Sequence, residues 1–341
     1  MYKVIFERRD DSIRCKICER RCSLKDGMIG ICKNYKNEKG ELKPTAYGLI
    51  SALEPRPIEI KPLFHYWPGS WALTFSGYGC NLYCPWCQNW ELSFSAPKMG
   101  RMIKPEEMVE IAVRRKMNGF SASFNEPTIH FSYLIDLFKL AKERGLYSMM
   151  VTNGTFTREA LLELMEAGAD GFAVDIKTCP DNKRFLKYYD PVKVIDRCAD
   201  ILKRDGHVEL IYLVVPKFND DTACVEWFLN EVANKLGLEI PIHFNRYYPA
   251  YRYDEPPTSR LVLIDIKEKA EKMGFNFVYV GNIGDTKMET TYCPKCRKAL
   301  LVRGGGYLIY SRLDERNRCP NCNTLIPIKG KVVQRSYLDY L

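Results

Sequence analysis

The segment 76–90, SGYGCNLYCPWCQNW, carries three cysteines with the spacing C-x3-C-x2-C, at positions Cys80, Cys84 and Cys87. It follows a strand-like run, residues 71–75, and an aromatic residue, Trp86, precedes the third cysteine. This spacing is typical of a loop that holds a four-iron iron–sulfur cube. Three thiolates leave one iron of the cube without a protein ligand, so that this iron can chelate a substrate or cofactor. The spacing therefore predicts a reactive [4Fe-4S] cluster rather than one that only passes electrons.

Downstream of this loop, β-rich runs alternate with amphipathic stretches up to about residue 285. Such alternation argues for parallel strands joined by crossover helices. Strands are predicted near residues 71–77, 119–124, 146–152, 170–177, 207–215, 241–246 and 275–280. Six or seven such units predict an α/β fold, a partial (β/α)6-type barrel. The loops after the strands of such a barrel gather at one mouth, where we expect the cysteine loop to lie.

Composition divides the 341 residues into three parts. We predict a cysteine-rich N-terminal segment over 1–68, the barrel over 69–286, and small metal-binding knuckles over 287–341. A hydrophobic content of 46% is ample for one large core.

Charge and cysteine usage constrain the setting of the protein. The net charge of +9 comes from scattered lysines, which makes nucleic acid an unlikely partner. No apolar stretch approaches the roughly 20 residues that a membrane span needs, although peripheral lipid contact stays open. Eleven of the 14 cysteines fall in tight groups that suit metals better than disulfides, as in a reducing compartment. We therefore expect a cytoplasmic protein.

Polar side chains follow the predicted strands at the points where these end. Glu126 and Asn125 lie in SFNEPT, Asn153 lies in VTNGT, and the late segment HFNRYYPAYR begins at His243. Asp175 and Lys177 in VDIK are two residues apart on a strand and therefore point to the same side. A structural barrel alone does not require polar clusters at every strand end, so this regularity predicts a site there.

The outer cysteines form two further groups. The N-terminal group could hold a second iron–sulfur cube or a zinc ion, and it comprises Cys15, Cys18, Cys22 and Cys32. The C-terminal group has the two Cys-Pro-x-Cys knuckles of a zinc-ribbon or rubredoxin-type site, with zinc or iron left open, and it comprises Cys293, Cys296, Cys319 and Cys322. If both groups bind iron, they suggest an electron relay to the barrel.

Three cysteines stand outside these groups. Cys179, at the predicted mouth, is a candidate ligand or radical partner, but a packed free thiol is the favoured interpretation. Cys198 and Cys224 lie on predicted helices and are expected in the core.

The order of the motifs resembles a known family. The C-x3-C-x2-C loop followed by an Asn-Glu-Pro segment, TNG, DIK and HFNR resembles radical SAM enzymes, which use S-adenosylmethionine (SAM), and particularly those related to glycyl-radical-enzyme activases. The segments GCNLYCPWCQNWELS, SFNEPT, HFNRYYPAYR and VYVGN, with the cysteines of both ends, are most similar to the radical SAM member of the AmmeMemoRadiSam system. The resemblance covers nearly the whole chain.

The resemblance implies a role for each matching residue. Cys80, Cys84 and Cys87 would hold a [4Fe-4S] cluster whose fourth iron chelates the amino and carboxylate groups of SAM. The other side chains would contact SAM: Trp86 near the adenine, Asn125 and Glu126 at the ammonium, Asn153 and Asp175 at the ribose, and Lys177 and His243 at the carboxylate or ribose. The implied reaction is reductive cleavage of SAM to a 5′-deoxyadenosyl radical, which abstracts hydrogen from a substrate.

The resemblance leaves the substrate and the partners open. It implies a low-potential electron donor of the ferredoxin or flavodoxin type, and Memo-like and AMMECR-like proteins as partners, with a protein as a candidate substrate. Activation of a glycyl-radical enzyme is one alternative, and radical carbon–carbon or carbon–sulfur bond formation on a small molecule or lipid is another. An alternative from a different class, a zinc-knuckle module that binds nucleic acid, leaves the polar strand ends unexplained.

Overall fold

The N-terminal region consists of short antiparallel strands. The structure, a computed structural model, describes residues 2–94 and 100–334. The first strands are β1 (Phe6–Arg8), β2 (Ser12–Cys15), β3 (Ser23–Lys25), β4 (Tyr35–Glu38), β5 (Glu41–Pro44) and β6 (Leu49–Ile50). Strands β1 to β3 form one sheet and β4 and β5 form a hairpin. Apolar side chains of this region, such as Ile13 and Tyr35, are buried in the same core as the barrel helices.

The centre of the molecule is an eight-stranded sheet. Its strands are β7 (Ala52–Pro57), β8 (Trp71–Ser76), β10 (Gly119–Ala122), β11 (Tyr147–Thr152), β12 (Ala169–Asp175), β13 (His207–Val214), β14 (Ile242–Arg246) and β15 (Val278–Gly281), while β9 (Arg101–Met102) pairs with β6. Neighbours follow sequence order from β7 to β15, and the seven strands from β8 onward are parallel. The predicted α/β fold with a parallel-sheet core is confirmed.

The sheet is open, with β7 and β15 as its two edges. Strand β7 runs antiparallel to β8, in a register from Ala52 opposite Ser76 to Pro57 opposite Trp71. The predicted boundary after residue 68 assigns this strand to the N-terminal segment, although its pairing makes it part of the barrel sheet. The two prolines of β7, Pro55 and Pro57, suit an edge strand because proline cannot donate to a second neighbour.

Helices connect the parallel strands. They are α1 (Trp90–Phe94), α2 (Pro105–Arg114), α3 (Phe131–Glu143), α4 (Arg158–Ala167), α5 (Pro191–Leu202), α6 (Thr222–Lys235) and α7 (Arg260–Lys272), with 3-10 turns at Ile58–Ile60 and Pro127–His130. In α5 the N-cap Asp190 accepts a hydrogen bond from the Lys193 N–H at 3.2 Å, and Pro191 occupies the first turn. Its apolar residues at helical spacing, including Ile195 and Cys198, face the core. None of the helices in the described ranges is long and apolar enough to cross a membrane.

The C-terminal tail packs against the segment before β8 and the last strands of the barrel. It contains α8 (Thr286–Glu289) and a three-stranded antiparallel sheet of β16 (Thr291–Tyr292), β17 (Ala299–Gly304) and β18 (Tyr307–Ser311). The segment 58–70 lies between tail and sheet, where Tyr66 forms a bridge to Lys329. The fully buried Arg303 donates to the Phe64 carbonyl at 2.6 Å. The tail is therefore an integral part of the core.

Candidate active site

A cavity of about 440 Å³ lies where the loops after the parallel strands meet. We call it the main cavity. Nine of the ten catalytic and cofactor-binding residues predicted from the sequence line it: Cys80, Cys84, Trp86, Cys87, Asn125, Glu126, Asn153, Asp175 and Lys177. They come from the ends of four different strands, which the parallel sheet brings together at one edge.

The cysteine loop has a tightly fixed backbone. Gly79 has a φ of +94°, and a Cβ at this position would lie 2.4 Å from the Cys32 carbonyl oxygen, so only glycine fits. The Asn125 side-chain amide donates to the carbonyls of Gly77, at 3.0 Å, and Gly79, at 2.9 Å. The loop is thereby attached to the segment that follows β10 and to the N-terminal region.

The three cysteines of the loop are free and partly exposed. The backbone N–H of Leu82 donates to Cys80 Sγ at 3.4 Å. Burial raises the pKa of Cys84 to about 11 and that of Cys80 well above its usual value. Thiols in such surroundings stay protonated unless a bound metal stabilises the thiolate. Three free thiols on one wall of the cavity fit the ligand set of a cluster with one open iron.

Glu126 is the central carboxylate of the cavity and is only 2% exposed. Its Oε1 accepts hydrogen bonds from the Thr128 N–H at 2.9 Å and the Thr152 hydroxyl at 2.8 Å, and its Oε2 accepts from the Asn153 N–H at 2.8 Å. Burial raises the pKa of Glu126, while these donors act in the opposite direction. Each carboxylate oxygen can accept two hydrogen bonds, so Oε2 retains an acceptor site. Beside it, the buried Asn125 Oδ1 has no partner.

Asn153 is held by a network that the sequence did not reveal. Its Nδ2 donates to Asn81 Oδ1 at 2.9 Å, and its Oδ1 accepts from the Thr155 hydroxyl at 2.6 Å and the Thr155 N–H at 3.0 Å. Asn81, which directly follows Cys80, is fully buried and donates in turn to the Thr155 hydroxyl at 2.7 Å. The network joins the cysteine loop to the end of β11. Its position next to Cys80 is the one sequence signal that marks Asn81.

Asp175 and Lys177 form an ion pair in the wall, with Lys177 Nζ at 2.9 Å from Asp175 Oδ2. Their side chains are 24% and 17% exposed, which distinguishes the pair from an ordinary surface ion pair. Burial alone would lower the pKa of Lys177, but the charge of Asp175 and its hydrogen bond to Lys177 raise it. A permanently charged ammonium therefore lies close to the cysteine loop.

Phe124 and Lys61 line the cavity opposite this pair, and neither was predicted. Phe124 has a φ of 70°, a left-handed conformation that is costly for a bulky residue and that occurs at sites where the surroundings enforce it. The Lys61 ammonium lies 4.6 Å from the centre of the Phe124 ring. Burial lowers the pKa of Lys61 to about 8. A lone lysine in the apolar stretch IEIKPLF is the signal that could have identified it.

His243 is the predicted site residue that lies apart from the main cavity. It is 2% exposed, and its Nε2 lies 2.7 Å from Oε2 of the buried Glu209. It lines a second, neighbouring cavity, whereas Asn245, two residues further along β14, lines both.

The N-terminal cysteines pack directly behind the cysteine loop. Cys18 forms a bridge with Phe156, and the Cys32 carbonyl lies against Gly79 of the cysteine loop. Burial raises the pKa of Cys18 to about 11 and that of Cys32 to about 12, and the neighbouring cysteines of the group contribute to the rise for both. Among the described residues, the four sulfurs of this group do not all lie within 4.8 Å of one another. All four are free thiols, and three of them, Cys15, Cys18 and Cys32, are buried.

The C-terminal cysteines converge on one point. All four sulfurs of Cys293, Cys296, Cys319 and Cys322 lie within 4.8 Å of one another. The two knuckles have the same backbone: the N–H of Cys293 donates to the Lys298 carbonyl and that of Cys319 to the Thr324 carbonyl, each at 2.8 Å. A tetrahedral metal with bonds of about 2.3 Å to sulfur holds its ligands at a comparable spacing. The predicted C-terminal four-cysteine cluster is confirmed as a group with metal-site geometry.

The free-thiol prediction for Cys179 is wrong, since the structure joins Cys179 to Cys224 in a disulfide. Cys179 follows Lys177 in the loop after β12, and Cys224 lies in the first turn of α6, where the Cα atoms approach to 5.2 Å. Cys198 is free and fully buried, as predicted for a core residue.

Comparisons with known proteins agree with this geometry. The model of the radical SAM superfamily matches residues 74–225. An uncharacterized protein of Methanocaldococcus jannaschii is 35% identical over 333 residues, which cover 95% of this chain and 98% of the relative. A protein of the same archaeon named as a glycyl-radical enzyme activating enzyme is 29% identical over 153 residues, 43% of this chain and 58% of its own length. This chain is therefore similar over nearly its whole length to the first relative and over less than half of its length to the second.

Among solved structures, a Streptococcus suis protein crystallised with S-adenosylmethionine has a TM-score of 0.49 and 13% identity, covering 62% of this chain and 51% of its own. The superfamily match begins within β8 and contains the whole C-x3-C-x2-C loop, Glu126, Asn153 and the Asp175–Lys177 pair. The chain belongs to the radical SAM superfamily.

Proposed function

We propose that Cys80, Cys84 and Cys87 hold a [4Fe-4S] cluster and that SAM binds beside it in the main cavity. Such a cluster supplies an open iron and one low-potential electron for the reductive cleavage of SAM to a 5′-deoxyadenosyl radical. The observation that carries the proposal is the convergence of three free thiols, the Glu126 carboxylate and the Asp175–Lys177 pair on one cavity. Superfamily membership supports the same chemistry.

The side chains of the cavity have separate tasks in this proposal. Glu126, with its remaining acceptor site at Oε2, accepts from the ammonium of SAM, and the unpartnered Asn125 Oδ1 offers a second acceptor. Asp175 accepts from the ribose hydroxyls, while Lys177 keeps a positive charge near the carboxylate of SAM. Asn153 contributes its second Nδ2 proton, because its other hydrogen bonds hold the loop in place. Trp86, only 4% exposed, packs near the adenine.

Enclosure is the second requirement. A primary carbon radical reacts with whatever lies next to it, so the site must exclude water and stray donors. The rings of Phe185, Phe218 and Tyr253 surround Trp86 with centroid distances of 4.5 to 6.0 Å, and they form an apolar wall beside the cysteine loop. We infer that the radical abstracts hydrogen from a substrate that enters past this wall.

The cellular system is proposed from the sequence motifs. We propose an AmmeMemoRadiSam-like system, with Memo-like and AMMECR-like proteins as partners, a protein as candidate substrate, and a ferredoxin- or flavodoxin-type electron donor. The cysteine, SFNEPT and HFNRYYPAYR segments and the cysteines at both ends support this proposal. A second candidate is activation of a glycyl-radical enzyme, which the similarity to relatives named as activating enzymes favours.

Two accessory metal sites complete the proposal. The tail cysteines hold one zinc or iron ion, supported by sulfurs that all lie within 4.8 Å of one another. The N-terminal cysteines hold a second cluster or a zinc ion, supported by four free thiols within 18 residues, three of them buried. The Cys32 carbonyl lies against Gly79, next to Cys80, so a metal held by this group would lie near the main cluster, and we propose that it passes electrons to it.

The direct test is anaerobic reconstitution with iron and sulfide, followed by dithionite and SAM. We expect 5′-deoxyadenosine from the wild-type protein and from Cys198→Ala, whose buried thiol lies outside every metal group. Cys84→Ala should form none. Product from Cys84→Ala at the wild-type level would mean that the C-x3-C-x2-C loop is not the reactive centre.

A further inference from the structure

A second cavity of about 210 Å³ lies between the barrel and the tail. It shares four wall residues with the main cavity: Ile60, Pro62, Asn245 and Asn282. The remaining lining residues come from the segment before β8, from the ends of β14 and β15, and from the tail. The two cavities therefore adjoin, and a ligand that starts beside the cysteine loop can extend into the second one.

Two buried charged side chains in this wall have unpartnered atoms. Glu59 is 4% exposed and Arg303 is fully buried. Glu59 Oε1 accepts from the Gly69 N–H at 2.7 Å, but Glu59 Oε2 has no hydrogen-bond partner, and neither has Arg303 Nε. A buried carboxylate oxygen without a partner is costly, so Glu59 Oε2 marks a place where an N–H group of a ligand restores the missing bond.

Arg303 is held rigidly by its other nitrogens. Its Nη1 donates to the Thr291 hydroxyl at 2.8 Å and to the Glu289 carbonyl at 3.1 Å, and its Nη2 donates to the Phe64 carbonyl at 2.6 Å. The guanidinium also lies 4.1 Å from the centre of the Phe64 ring. Arg303 therefore fixes one wall of the cavity and cannot turn away from Glu59.

The cavity offers more acceptors than donors. His243 Nε2 hydrogen-bonds the Glu209 carboxylate, so the ring proton is assigned to Nε2. His243 Nδ1 is then a hydrogen-bond acceptor. Glu289, whose side chain has no ion pair, also lines the wall. With Glu59, two carboxylates and the His243 ring therefore line the same cavity as a single guanidinium. This imbalance favours a ligand with a positive charge and several N–H donors.

We propose that the second cavity binds a primary ammonium group of the substrate, with Glu59 Oε2, Glu289 and His243 Nδ1 as its acceptors. The apolar Ile60 and Pro62, shared by both cavities, then contact the alkyl chain that leads from the ammonium towards the cysteine loop. The substrate role rests on the proposed function, since it takes the main cavity as the place of hydrogen abstraction. The substrate class is an aliphatic primary amine, either a small molecule or an amine-bearing side chain.

The test measures binding of n-butylamine to the full-length reconstituted protein with SAM bound, by saturation-transfer NMR with titration. Saturating SAM excludes the probe from the main cavity. The matched compounds are 1-butanol, which lacks the charge, and butyrate, which reverses it. We expect n-butylamine to bind at least tenfold more tightly than either. Equal binding of butanol, or tighter binding of butyrate, would overturn the proposal.

Variants locate the site. Glu59→Gln keeps an acceptor for the Gly69 N–H and should weaken butylamine binding at least tenfold, and Glu289→Gln provides a second variant at the opposite wall. Glu54→Gln, on β7 and paired with Arg56 outside the cavity, is the control and should bind as the wild type does. Wild-type binding in both cavity variants would reject the site. Butylamine binding in a protein that never cleaves SAM would refute the proposed function and leave the amine site standing.

Discussion

Replacement of Glu126 by alanine tests the SAM site through its most buried ligand. The carboxylate accepts two backbone N–H groups and one hydroxyl, and its Oε2 retains one site for the SAM ammonium. A charge-assisted hydrogen bond contributes roughly 1.5–3 kcal/mol, so its loss should weaken SAM binding by roughly 10- to 150-fold. The substitution also leaves the N–H groups of Thr128 and Asn153 without an acceptor. At about 1–3 kcal/mol each, this costs roughly 2–6 kcal/mol of stability if cavity water does not replace the carboxylate.

The assay is equilibrium binding of labelled SAM to anaerobically reconstituted protein, with iron content and thermal unfolding measured on the same samples. Thr157→Ala is the matched control. It removes a buried side chain that caps α4 and donates to the Lys16 carbonyl, away from the main cavity, so it should lower stability and leave SAM affinity intact. Unchanged SAM affinity in Glu126→Ala with a full cluster would refute the placement of the ammonium. An equal loss of affinity in Thr157→Ala would show that general destabilisation, and not the carboxylate, weakens binding.

Three further predictions concern other parts of the chain. The double variant of Cys293 and Cys296 should lose one equivalent of metal and unfold more easily, while dithionite-driven 5′-deoxyadenosine formation persists; unchanged metal content would reject the tail site. Burial raises the pKa of Glu59 from 4.5 to about 7. Between these two pH values the Glu59 carboxyl is protonated in the native state but ionised in the unfolded state. The free energy of unfolding should therefore decline as pH rises from about 5 to 8. Glu59→Gln should lack this contribution, which amounts to up to about 3 kcal/mol in the free energy of urea unfolding. If the free energies of unfolding of the wild type and of Glu59→Gln changed in parallel with pH, the burial argument would be contradicted. Finally, dithiothreitol should lower the unfolding temperature of the wild type but not of a variant in which alanine replaces both Cys179 and Cys224. The reason is that the disulfide closes a loop with a sequence separation of 45. In the chain-entropy model such a crosslink stabilises the native state by roughly 4 kcal/mol.

The barrel and most of its site could be predicted because both depend on local patterns. Parallel strands appear as apolar runs, and polar residues at their ends must meet at one edge, so Glu126 and Asn153 could be assigned together. Strand β7 was not predicted because Pro55 and Pro57 suggest that no strand continues through this segment. An edge strand tolerates both prolines, since it pairs with a neighbour on one side only.

The parts that escaped prediction depend on contacts between distant segments. Glu59 and Arg303 are 244 positions apart and meet only because the tail folds against the segment before β8. Cys179 and Cys224 are 45 positions apart, and nothing in either local sequence shows that the loop after β12 reaches α6. His243 was placed with the SAM ligands by the position of HFNR after a strand. Glu209, on the neighbouring strand, instead holds it at the second cavity.

The most direct test of the central claim is electron paramagnetic resonance of the dithionite-reduced, reconstituted protein before and after addition of SAM. If Cys80, Cys84 and Cys87 leave one iron open to SAM, the spectrum of the reduced [4Fe-4S] cluster should change when SAM binds, because the ligands of that iron change. The same change should occur in a protein that lacks Cys293 and Cys296, since those residues belong to a separate site. A spectrum unaffected by saturating SAM, in protein with a full complement of iron, would contradict the account.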